Sequence, residues 1–150
     1  MIYLILKFAH VVLAMVWVGG IVTLTGLSIL LLRASDRQFL ISLTRYSELL
    51  GGRLTGPAAG LTLLTGFAAV GVGHTGFPLW VLWGITVFIV VGLVGGIFFR
   101  RTGMEFSRLI ASADADEQAV RAGQRRMAQQ QLFMVALLLS AVWAMVFKPM

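Results

Sequence analysis

Lys7 and His10 stand in an apolar run from Ile2 to Leu32 and are the only residues of that run able to carry a charge. They lie one helical turn apart, and Trp17 follows two turns beyond His10, so all three share one helix face. Ionisable groups at membrane depth are costly; they face the bundle interior and mark functional sites. Lys7 is near enough to the start of the run to snorkel to the interface. His10 lies about 13 Å along the helix, too deep for that. Its imidazole can ligate a metal or transfer a proton. A plain hydrogen bond to a threonine or carbonyl of a neighbouring helix would satisfy it equally well.

The second histidine, His74, falls in the turn Gly71-Val72-Gly73-His74-Thr75-Gly76. If the chain crosses a membrane four times, this turn shares one end of the bundle with His10, Lys7, Trp143, Met145 and Lys148. Two imidazoles, a thioether and two cations at one level would suit haem b. His10 would be its ligand, His74 a second one, and Trp17 a wall, with Lys7 and Lys148 facing the propionates. The same His10 and His74 with Met145 would suit copper, since imidazole and thioether favour Cu(I).

Other chemistries have no machinery here. The chain has no cysteine, hence no disulfide framework, thiolate metal site or cysteine nucleophile. The apolar runs contain no Asp or Glu, which argues against a carboxylate proton relay. No Gly-x-Ser-x-Gly elbow, phosphate loop or His-Glu-x-x-His motif occurs, so hydrolase and nucleotide chemistry are not indicated. The sequence names no reaction, and whether the protein is an enzyme stays open at this stage. A formal charge of +6 comes without a basic stripe or aromatic platform, so no nucleic-acid partner is expected.

The elements that must position these residues follow from composition. Of 150 residues 59% are hydrophobic and 12% charged, against about 25% charged in soluble domains; mean hydropathy is +0.92. A chain of this length forms about one domain, so lipid must cover the excess apolar surface. The expectation is a single all-α membrane domain, a bundle of four transmembrane helices at about 2–32, 55–72, 78–99 and 129–147, joined by loops 33–54 and 100–128. The first run is far too long for a cleavable signal peptide and reads as a retained helix. Pro57 and Pro78 suit first turns. Phe39, Leu40, Leu43, Tyr46, Leu49 and Leu50 recur at helical spacing, as an amphipathic connection or the start of the second helix. Asp114, Asp116 and Glu117 followed by Arg121, Arg125 and Arg126 suit the dipole of a solvated helix, with Glu117–Arg121 as a pair.

Ten of the twelve Lys and Arg fall in the two polar stretches, from Arg33 to Arg53 and from Arg100 to Arg126. The positive-inside rule puts these in the cytoplasm and both termini outside. The arginines can also touch anionic headgroups of the surrounding membrane lipid. Gly52, Gly56 and Gly60, like Gly92 and Gly96, recur every four residues, a spacing that favours close helix packing within the bundle, in a homo-oligomer or against another membrane protein.

Leu6-Lys7-Phe8-Ala9-His10 with Trp17-Val18-Gly19-Gly20, Gly56-Pro57 with Thr65-Gly66, and the closing Ala144-Met145-Val146-Phe147-Lys148-Pro149 resemble a bacterial family of predicted integral membrane proteins of unknown function. The first-helix pattern is also similar to the copper-resistance D (CopD) membrane proteins and to the HemJ-type protoporphyrinogen oxidases, four-helix haem proteins. The resemblance implies a bacterial inner (cytoplasmic) membrane protein and, from both groups, a functional role for His10. The HemJ-type lysine that follows the tryptophan of the third helix has no counterpart here: Trp80 is followed by Val81, Leu82, Trp83 and Gly84, which sets protoporphyrinogen oxidation apart from this chain.

Overall fold

A backbone in lipid has no water to satisfy its peptide groups, so an apolar chain must close its hydrogen bonds within helices. The computed structural model describes residues 1–32, 37–74, 76–112 and 116–148, with 31, 37 and 98–100 by backbone alone; the described residues are helical apart from short turns. Arg33, Asp114 and Pro149, part of the sequence argument above, lie outside the described residues. The order is α1 (Ile2–Leu31), α2 (Arg37–Leu50), a π-helical stretch (Gly51–Thr55), α3 (Gly56–Gly73), α4 (Leu79–Leu93), a second π-helical stretch (Val94–Phe99), α5 (Arg100–Ala111) and α6 (Glu117–Phe147).

Among the described residues four helices are long and apolar enough to cross a membrane: Ile2–Leu30, Gln38–Gly73, Leu79–Ala111 and Glu117–Phe147. The protein is thus an all-α multi-pass bundle. The stretches that join the apolar runs are largely helical, in keeping with the helical spacing from Phe39 to Leu50 and the charge order from Asp116 to Arg126. Residues 37–54 and 100–111 extend the second and third spans, and 117–128 begin the fourth. Their helix-favouring composition and apolar periodicity let the helices run on past the end of the apolar spans. Leu40 and Thr44 of α2 and Phe106 and Ile110 of α5 are buried, so this end of the bundle has an interior of its own.

Local chemistry accounts for the helix ends. Asp116 caps α6 by accepting a hydrogen bond from the Gln118 N–H at 3.2 Å. Pro78 precedes α4 in extended conformation, and Pro57 sits in the first turn of α3. His74 and Lys148 close α3 and α6 with φ of 48° and 45°, in the left-handed region that ends helices.

The core is a cluster of Trp17, Ala58, Val87, Val91, Met134 and Leu138. Close approach is set by glycines. A Cβ on Gly20 would lie 2.5 Å from Thr55 Cγ2, and one on Gly123 2.8 Å from Phe106 Cδ2. The glycines at four-residue spacing do not have this role within the chain. A Cβ on Gly52, Gly60, Gly92 or Gly96 meets nothing within 4 Å. Spacing alone signals that glycines share a face; it does not say which face meets a neighbour.

The Gly20 contact gives a direct test. Thr55 cannot swing its methyl away freely, because its hydroxyl donates to the carbonyls of Gly51 at 2.8 Å and Leu50 at 3.1 Å. Gly20→Ala should therefore destabilise the protein by about 1–3 kcal/mol, the usual range for overpacking. Gly60→Ala should not. Combining Gly20→Ala with Thr55→Ser, which keeps the hydroxyl and removes the methyl, should restore the melting temperature in detergent; a double variant as unstable as the single one would refute this account.

Candidate functional site

α1 and α3 run antiparallel, and their contacts fix one register: Tyr3 against Gly73, His10 against Thr62 and Gly66, Gly20 against Thr55. This seam sets the conformation of His10. Its Nδ1 lies 2.8 Å from the carbonyl oxygen of Thr62. A carbonyl only accepts, so Nδ1 carries the proton and donates, and neutral imidazole then keeps its lone pair on Nε2. Among the described residues Nε2 has no hydrogen-bond partner. The Thr62 carbonyl also receives the Thr65 hydroxyl at 3.1 Å. Gly66 gives the ring its room, since a Cβ there would lie 3.0 Å from His10 Cε1 and 3.1 Å from Nδ1.

His10 lines a cleft of about 230 Å³ formed by α1, α3, α4 and α6. Its floor includes Trp17, which packs edge-on against Phe88 with ring centroids 5.3 Å apart. Tyr3, Lys7, His10, Ala14 and Trp17 line it from α1 alone, at the alternating four- and three-residue spacing of one helix face. Met145 enters from α6 and packs on Gly84, where a Cβ would lie 2.6 Å from the methionine methyl. Lys148 and Trp80 also line it, with the ammonium 5.6 Å from the indole centroid, a cation–π contact. Val11, Phe67 and Val142 line the cleft while 42%, 44% and 41% exposed, so its sides are open to the surface that lipid covers.

The fold therefore brings together Lys7, His10, Trp17, Met145 and Lys148. His74 is not among the lining residues; it is exposed and serves as the left-handed end of α3. Among the described residues no group of three His, Cys, Asp or Glu could hold a metal ion. The donors that the cleft does present include the His10 imidazole nitrogen, the Met145 thioether and the Tyr3 hydroxyl. The hydrogen bond to a carbonyl of a neighbouring helix, open to His10 from the sequence, is made to Thr62; sequence reasoning missed Gly66, Gly84 and Trp80 as parts of the cleft. Tyr3 and Ala14 were legible as extensions of the Lys7–His10–Trp17 stripe. A backbone acceptor on another helix has no signature in residue types.

Haem and copper can be tested against these groups. Metal-ligating histidines almost always donate their second ring N–H to a carbonyl, carboxylate or water, which fixes the tautomer and raises ligand basicity. His10 has that arrangement. Lys7 and Lys148 supply the cations that a haem's carboxylates require, and among the described residues no carboxylate lines the cleft to compete. The volume falls below the roughly 300–1,000 Å³ of ordinary small-molecule sites, so a macrocycle would use the open sides as well as the enclosed part. The donor chemistry fits; the enclosure is partial. In comparisons with protein-family models, curated proteins and solved structures the chain finds no match.

The His10 tautomer is measurable. Nitrogen NMR of imidazole-labelled protein should show the Nδ1–H form in the wild type and its loss in Gly66→Val, where the new side chain displaces the ring. An Nε2–H tautomer in the wild type would contradict the assigned hydrogen bond.

Proposed function

We propose that this protein is a haem-binding redox protein of the bacterial inner membrane, with both termini and the His10 cleft on the outer side and the arginine-rich end in the cytoplasm. The observation that carries the reading is His10, anchored through Nδ1 on the Thr62 carbonyl and left with an unengaged Nε2 in an apolar cleft. The orientation rests on the bias of arginine toward one end of the bundle. The likeness of the first helix to haem- and copper-associated membrane proteins also supports it.

In this reading His10 Nε2 would hold the iron, while the Thr62 carbonyl holds the imidazole plane and its tautomer. Lys7 and Lys148 would neutralise the propionates, with the Trp80 face helping to hold the Lys148 ammonium. Trp17 and Phe88 close the floor against water. Met145 is a second donor side chain of the cleft. When bound, the haem would supply one-electron redox chemistry.

The joint presence of His10 and Met145 favours a second reading, copper handling, because imidazole with thioether suits Cu(I). Absorption spectra and metal analysis of detergent-purified protein, expressed with added haem, separate the two. A Soret band that shifts on reduction and disappears in His10→Ala is expected. Lys7→Gln with Lys148→Gln should weaken haem retention while leaving the protein folded. Copper without a Soret band, lost in His10→Ala, would replace haem by the metal reading. Neither signal from well-folded wild type would overturn both and leave a ligand-free structural or assembly partner.

A further inference from the structure

The two ends of the bundle use different cations. Lys7 and Lys148 belong to the cleft end, whereas the ten permanently charged basic residues of the two polar stretches, Arg33 to Arg53 and Arg100 to Arg126, are all arginine. Arginine matches the geometry of phosphate with a planar fork of donors, which lysine does not. Three spans also change character at one level. Arg53 lies 20 residues before Gly73, Arg101 lies 22 after Leu79, and Arg126 lies 21 before Phe147. At 1.5 Å per residue these separations are about 30–33 Å, the thickness of a bilayer's hydrocarbon core. The three helices thus each place an arginine where the phosphates of one leaflet lie. All three arginines are exposed. Among the described residues the one arginine–carboxylate ion pair is Arg121–Glu117 at 3.8 Å, so Arg53, Arg101 and Arg126 have no carboxylate of their own.

We propose that Arg53, Arg101 and Arg126 form a phosphate-level collar that binds anionic phospholipid, holding the headgroups of the surrounding leaflet against three different helices. The occupant is the lipid itself, because the collar stands at headgroup depth with apolar helix on its membrane side for the acyl chains, beginning on α6 after Gln129, Gln130 and Gln131. Each arginine near such a surface strengthens the attraction about fivefold. The collar is independent of the His10 cleft and of which way the protein faces.

The full chain in nanodiscs of phosphatidylcholine mixed with phosphatidylglycerol tests this. Lipid that stays with the protein on extraction, measured by native mass spectrometry, should be enriched in phosphatidylglycerol over the bulk mixture. R53Q, R101Q and R126Q together should bring it to the bulk ratio. R45Q, R108Q and R121Q together, the same loss of charge placed away from the collar, should leave the enrichment in place. If the collar variant does not fold, the wild-type melting temperature decides: phosphatidylglycerol should raise it and inorganic phosphate in phosphatidylcholine discs should not. Retained lipid at the bulk ratio, equal effects of the two triple variants, or equal stabilisation by inorganic phosphate would each overturn the proposal.

Discussion

The hydrocarbon core of a membrane accepts no unpaired peptide group, and most hydroxyl side chains of this protein follow the same demand, whereas Gln130 Oε1 and Gln131 Oε1 are buried without a hydrogen-bond partner among the described residues. Thr23, Thr25, Ser28, Thr44, Thr62 and Thr86 each donate to the carbonyl four residues earlier in their own helix. They are spent within the helix and hold nothing across it. Polar contacts between different spans are therefore few. His10 to the Thr62 carbonyl and Trp83 to the Ser140 hydroxyl, at 3.2 Å, are the cross-helix ones within the apolar spans of the described residues. Lipid supplies no hydrophobic drive to bring helices together, so shape has to do it. That is why glycine–side chain contacts fix the registers of α1 on α3 and of α4 on α6.

The cleft follows from the same shape constraint. Gly66, Gly73 and Gly84 leave room for the His10, Tyr3 and Met145 side chains. Large residues on one helix facing glycines on the next hold two walls apart at some levels and together at others. Below the cleft, Trp17 and Phe88 fill the gap; at its mouth two lysines remain beside apolar walls. Electrostatics then gives the space a direction, apolar at depth and cationic at the end, as a ligand with an apolar body and an acidic edge requires.

Much of this was legible in the sequence. Composition and apolar run length gave four spans, and charge placement gave two unlike ends. The one-turn offset of Lys7 and His10, with Trp17 beyond, placed three cleft residues on one face, and Met145 and Lys148 join them in the structure. His74 was grouped with them because its turn lies at the same end of the bundle. Its left-handed backbone and exposure come from ending a helix, a local requirement that level alone does not reveal. Charged residues end an apolar run without ending a helix, so beyond the runs it is the helical spacing from Phe39 to Leu50 and the charge order from Glu117 to Arg126 that mark where helix continues. Gly66 was hidden because a glycine's value depends on the side chain opposite, here an imidazole 56 positions earlier in the chain.

The two π-helical stretches, Gly51–Thr55 and Val94–Phe99, lie close to the collar arginines in two different spans. A turn wound this way holds more residues than an α-turn, so the segments on its two sides are out of phase with each other. One residue of α-helix is about 100° of rotation. The faces that α2 and α5 present are thus set separately from those of α3 and α4 below them. Loss of a single residue from such a turn could be absorbed by reverting to ordinary α-winding. The chain thereby has two places where one residue can be lost while the arginine-rich end and the cleft end both keep their aim.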